Sequence, residues 1–168
     1  MNPIATLHMA NGRNIVIELL PESAPNTVNS FIYTASRGYL DHHAIERIVP
    51  GNWVDVSYTA FGKKECRYLI PNEFELNPDV EPLDSHPGSV CMGGYGEAGL
   101  AGCEFFFPLR DCPDHKGIYP VFGRVLEGMD EVYRLEKVET VPVTDFPIEG
   151  VEVNRPVKPE IIERVELE

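Results

Sequence analysis

Arg47 lies in the string ERIVPG, just ahead of a Pro50-Gly51 turn. Its guanidinium is permanently charged and carries a rigid fork of donors, so it can polarise an amide, although an arginine on a strand is commonly an ion-paired surface group. Cys103, Cys112 and His115 are metal-ligating in type. Structural zinc takes four ligands in tight pairs, however, and none of the four cysteines shows CxxC spacing. Gly94, Gly96 and Gly99 spell GxGxxG, but a dinucleotide site needs a helix after the glycines and Phe105 to Pro108 follows instead. The adjacent His42 and His43 cannot share one face of a strand and suit a solvated turn after Tyr39, with no role assigned. In Phe105-Phe106-Phe107, alternation turns the middle ring opposite to its neighbours.

These residues must be positioned by elements that the pattern makes legible. Ile4 to Met9 and Asn14 to Leu20 read as strands joined by Asn11-Gly12, a hairpin signal, with Ile15, Ile17 and Leu19 on one face. In PESAPNTVNSFIYTASRG, Pro25 suits a first helical turn and Gly38 the stop; Val28, Phe31, Ile32 and Ala35 form an apolar stripe that is core packing. Ile45 to Val49 and Trp53 to Tyr58 flank the Pro50-Gly51 turn as strands. Further strands are expected at Ser89 to Met92, Glu104 to Phe107, Val121 to Val125 and Pro159 to Leu167, with a second helix over Glu127 to Glu136. The Pro-rich stretch from Val141 to Pro159 is a long loop or an added hairpin. About eight strands and two helices without a β-α rhythm predict a mainly β fold, an antiparallel barrel closed at its ends by helices.

The 168 residues suit a single domain, 1–168, able to bury a proper core. A net charge of −13 argues against a nucleic-acid partner, because phosphate contacts need clustered Lys and Arg; the acidity suits a soluble monomer. No stretch approaches the roughly eighteen apolar residues that span a bilayer, and MNPIATLHMANGR does not read as a secretory signal. Without an export signal the four cysteines are expected to be reduced thiols, which places the protein in the cytoplasm.

In order and spacing, several strings resemble the cyclophilins, the peptidyl-prolyl cis-trans isomerases: IVIELLPESAPNTVNSFIYTASRGYLD, ERIVPG, NEF at Asn72 to Phe74, PGSVCM at Pro87 to Met92, EFFF at Glu104 to Phe107, and VFGRVLEGMD. The resemblance covers nearly the whole chain and implies a closed eight-stranded antiparallel β-barrel capped by two α-helices. It implies Xaa-Pro isomerisation without a cofactor or metal, on proline-containing peptides or unfolded proteins. Peptide-bond rotation faces about 18–20 kcal/mol, and exchange at proline takes tens of seconds or longer. No bond is made or broken, so catalysis needs only a twisted amide favoured over a planar one. By match, Arg47 supplies the cation and Phe106 the floor of the proline pocket. Trp53, His115 and Tyr119 match pocket positions, and Met92, Gly93, Gly94 and Tyr95 match the groove edge that pairs with substrate backbone.

The chain also departs from the family pattern. Ile45 and Glu46 replace Phe-His, Asn52 replaces an aromatic residue, and Asp55 and Glu104 stand where glutamines are usual. Two carboxylates around Arg47 either preorganise the guanidinium or neutralise it, the latter weakening catalysis or selecting substrates with a positive charge near the proline. Two other readings therefore accompany the isomerase. One is a non-catalytic peptide- or partner-binding module; the other is a barrel that holds a small cationic ligand on Asp55 and Glu104.

Overall fold

A computed structural model describes residues 1–168. The chain opens with β1 (Ile4–Met9) and β2 (Asn14–Leu19), a hairpin closed where Gly12 takes φ +87° and its amide bonds the Met9 carbonyl. Helix α1 (Pro25–Ser36) follows, then β3 (His43–Ala44), β4 (Arg47–Val49) and β5 (Trp53–Asp55). A single-turn helix α2 (Tyr58–Phe61), β6 (Leu69–Ile70) and a second single turn α3 (Glu73–Leu76) come next. The remaining elements are β7 (Ser89–Gly94), β8 (Leu100–Pro108), β9 (Val121–Glu127), α4 (Met129–Glu136), β10 (Thr140–Pro142), β11 (Asn154–Pro156) and β12 (Ile161–Leu167).

The main sheet is antiparallel throughout and runs β3-β12-β1-β2-β9-β7-β8-β5-β4, with β6 added on β8. Its two ends, β3 and β4, are successive stretches of one segment interrupted at Ile45-Glu46. That segment pairs β12 at its start and β5 at its end, so the sheet curls round on itself as eight strands. The Val141 to Pro159 stretch resolves as an added hairpin, β10 paired with β11.

The interior follows from alternation. Ile15, Ile17 and Leu19 point inward with Ala5 and Leu7, and α1 lays Val28, Phe31 and Ala35 on them. The Phe31 ring meets Phe105 at 5.5 Å and Phe122 at 5.4 Å between centroids, and Tyr58 stacks on Phe105 at 5.8 Å. Helices α1 and α4 match the two expected from sequence, whereas α2 and α3 are one-turn additions. The strand expected to reach Tyr58 stops at Asp55, because Ser57 takes a left-handed φ of +57° and starts α2. Helix α4 begins two residues late, because Gly128 holds φ +102° ahead of it. His43 is half-buried rather than in a solvated turn, stacked on Tyr58 with its Nε2 2.8 Å from the Val56 carbonyl oxygen. Burial lowers its pKa.

Candidate functional site

On β8 the alternation separates the phenylalanines. Phe105 and Phe107 enter the main core, while Phe106 joins Cys91 and Val121 in a small cluster on the other side of the sheet. Trp53 from β5 and Tyr119, just before β9, pack on that cluster. Trp53 meets Phe106 at 6.0 Å, Tyr119 meets Phe106 at 6.0 Å, and His115 sits 5.6 Å from Trp53 and 4.7 Å from Tyr119. These rings form one side of a cavity of about 440 Å³. Burial lowers the His115 pKa, which favours the neutral ring, and its buried Nδ1 has no hydrogen-bond partner.

Arg47 lines the same cavity. Register places it opposite Asp55, which in turn faces Phe106 on β8. Arg47 Nη1 donates to Asp55 Oδ2 at 2.8 Å, and Nε donates to the Glu152 carbonyl at 2.7 Å. Nη2 has no protein partner. The Arg47 and Asp55 side chains are only 16% and 9% exposed, so water screens their attraction weakly, though desolvation offsets much of the gain. Asp55 Oδ1 also accepts the Ser57 amide at 3.0 Å. Burial raises the Asp55 pKa against the pull of Arg47 and Ser57, but both its oxygens receive N–H donors, which suits an ionised carboxylate. Glu104 differs. Its carboxyl is pushed up to about 8, first by burial and then by the charge of Asp55. Tyr95 Oη donates to it at 3.3 Å. Of the two carboxyls, one pairs with the arginine and the other sits mainly protonated at neutral pH.

Gly93, Gly94 and Tyr95 line the cavity as expected. A Cβ on Gly93 would lie 3.0 Å from both the Glu104 carbonyl oxygen and Glu104 Oε2, so glycine there lets the Glu104 side chain lie along β7. Met92 is not among the lining residues: its side chain is fully buried in the main core, so any part it takes in the groove edge is through its backbone. Alternation on β7 turns Cys91 toward Phe106 and Met92 away from it. Cys103, Cys112 and His115 are not gathered either; Cys103 lies in the main core and His115 in the cavity wall. All four cysteines are free and buried.

Four lining residues were not foreseen from sequence: Ser57, Phe146, Ile148 and Val151. The last three belong to residues 143–153, the strap between β10 and β11. Its neck is closed by the Val143 amide on the Val153 carbonyl at 2.8 Å, and Asn154 Nδ2 donates to the Ile48 carbonyl on β4 at 3.0 Å. Near its tip Phe146 packs on Phe61 of α2 at 5.7 Å. Spacing revealed an insertion here but not the face on which it folds.

Comparison with known proteins places the chain in a family. The family model described as cyclophilin type peptidyl-prolyl cis-trans isomerase/CLD matches residues 4–166. The chain is 30% identical over 152 residues to mouse peptidylprolyl isomerase domain and WD repeat-containing protein 1, covering 89% of the chain but only 23% of that longer protein. It is 30% identical over 155 residues to peptidyl-prolyl cis-trans isomerase-like 1 of Gibberella zeae, with 91% of each chain covered. It is 31% identical over 156 residues to Arabidopsis thaliana peptidyl-prolyl cis-trans isomerase CYP18-2, covering 91% of this chain and 92% of that one. Among solved structures, a cyclophilin-type isomerase of Cryptosporidium parvum, determined with the dipeptide Ala-Pro, superposes with a TM-score of 0.74 at 18% identity over 98% of both chains. On the extent of the family match and the identity to full-length relatives, this chain belongs to the cyclophilin-type peptidyl-prolyl cis-trans isomerase family.

Proposed function

We propose that this protein catalyses cis-trans isomerisation of Xaa-Pro bonds in peptides and unfolded proteins, with Arg47 as the electrostatic catalyst. The observation that carries this reading is the pairing of Arg47 with the aromatic box in one cavity. Phe106, Trp53, His115 and Tyr119 offer a dry receptacle for a proline ring. Two anchors hold the guanidinium, the Asp55 carboxylate and the Glu152 carbonyl, and Nη2 remains free to donate. As the peptide bond twists, amide resonance is lost, the lone pair localises on the proline nitrogen and that nitrogen becomes a better hydrogen-bond acceptor. A cation fixed beforehand stabilises that state without reorganising. The barrier to be lowered is about 18–20 kcal/mol, and no proton need move. A protonated Glu104 beside the ionised Asp55 keeps the second carboxyl from cancelling the arginine.

The test is two-dimensional NMR exchange on short Xaa-Pro peptides. Cis-trans exchange cross-peaks that need catalytic amounts of protein support the reading; their absence with every peptide, from a folded sample, contradicts it. One observation favours a second reading, a peptide-binding module without catalysis: Asp55 sits 2.8 Å from Nη1 and partly neutralises the cation. In that case peptides bind but their isomers do not exchange faster.

A further inference from the structure

The strap adds a second apolar wall to the cavity. Phe106, Trp53, His115 and Tyr119 pack ring against ring on one side, and Phe146, Ile148 and Val151 line the same cavity, which Arg47 also lines. Ile148 is 42% exposed, so apolar surface stands open there. The strap is held at its neck and at its tip, and Glu152 ties it to Arg47 itself. Its polar residues, Thr144, Asp145, Glu149 and Glu152, are exposed.

We propose that residues 143–153 form a specificity element that makes the site select peptides with a large apolar side chain next to the proline. The inference rests on the reading that a proline ring enters the aromatic box, with its neighbouring residue then lying against the strap. Charge inside the cavity does not oppose this. Arg47 and Asp55 offset each other, and burial keeps Glu104 mainly neutral near pH 7. The carboxylates of Asp145, Glu149 and Glu152 are on exposed residues, where solvent and salt screen them. A flanking side chain therefore meets three apolar groups and a neutral interior. Burying roughly half of a leucine side chain against such a wall favours it over alanine by about tenfold.

The test is a panel of otherwise identical peptides with Leu, Phe, Ala, Ser, Lys or Glu on either side of the proline. NMR titration reads the dissociation constant and exchange spectroscopy the rate from the same samples. The expected result is about tenfold tighter binding of the Leu or Phe peptides than of the Ala peptide. The Ile148→Ser/Val151→Ser double variant brings that ratio near one, whereas Val141→Ser, on exposed β10 outside the cavity, leaves it intact. Should the double variant fail to fold, Ile148→Ala alone reports the same ratio. A preference for Lys over Leu, or a ratio unchanged in the double variant, overturns the proposal. Selective binding without exchange keeps the strap proposal and removes the isomerase, exchange without selectivity does the reverse, and no binding of any peptide removes both.

Discussion

Replacing Glu104 with glutamine should make stability less dependent on pH, and the direction follows from its surroundings. Burial and the Asp55 charge push the Glu104 carboxyl up to about 8 in the folded protein, against 4.5 for the free group. An acid whose folded pKa is raised favours its protonated form in the fold. Stability is therefore fullest below about pH 4.5 and is lost as pH rises toward 8. Across pH 5.5 to 7.5 the folded state holds close to one proton more than the unfolded chain, at about 1.4 kcal/mol for each pH unit, or about 2.7 kcal/mol in all. Glu104 keeps some solvent contact, which discounts this to about 1–2 kcal/mol. Glu104→Gln lacks the ionisation, so its stability relative to wild type should rise by that amount over the window and level off above pH 8. Urea denaturation followed by the fluorescence of Trp53, the sole tryptophan, measures both proteins at each pH. Exchange catalysis should fall in wild type above pH 8, as a second carboxylate forms beside Arg47, and stay flat in the variant. A stability gap constant from pH 5.5 to 7.5, or one that widens toward acid, would mean that Glu104 is not held protonated by the fold.

Asp55→Asn removes the charge that balances Arg47 at 2.8 Å and should cost about 2–3 kcal/mol in denaturant unfolding. It should also move the pH midpoint of the Glu104 effect toward acid, since Asp55 helps to raise that group. Phe31→Ala empties the centre of the ring cluster with Phe105 and Phe122 and should cost about 3–5 kcal/mol, read as a large fall in Tm. Gly128→Ala imposes a side chain at φ +102° whose Cβ would lie 2.4 Å from the Asn14 carbonyl oxygen; a loss of about 1–3 kcal/mol is expected by the same measurement.

The sequence made the aromatic half of the site legible because period-two alternation is a rigid rule. Phe106 had to face away from Phe105 and Phe107, and it does. The same rule, applied to β7, turns the Met92 side chain into the main core and leaves Cys91 on the side of Phe106. Strand limits were less legible where one backbone conformation decides them, as at Ser57, whose left-handed φ no pattern announces. The carboxyls were seen but not their division of labour, which depends on which one receives N–H donors and which is merely buried. The strap was visible only as an inserted hairpin. Its place over Arg47 comes from long-range bonds, Asn154 to Ile48 and Glu152 to Arg47, between residues more than a hundred positions apart.

Comparing wild type with Arg47→Ala at equal peptide occupancy isolates what the guanidinium contributes to catalysis. Peptide binding is set with Trp53 fluorescence, and isomer exchange is then measured by NMR on the saturated samples. The variant is expected to bind still, through Phe106, Trp53, His115 and Tyr119, while accelerated exchange disappears. Exchange that persists in the variant at the wild-type rate would contradict it, because the aromatic box would then be the catalyst and the guanidinium a structural ion pair.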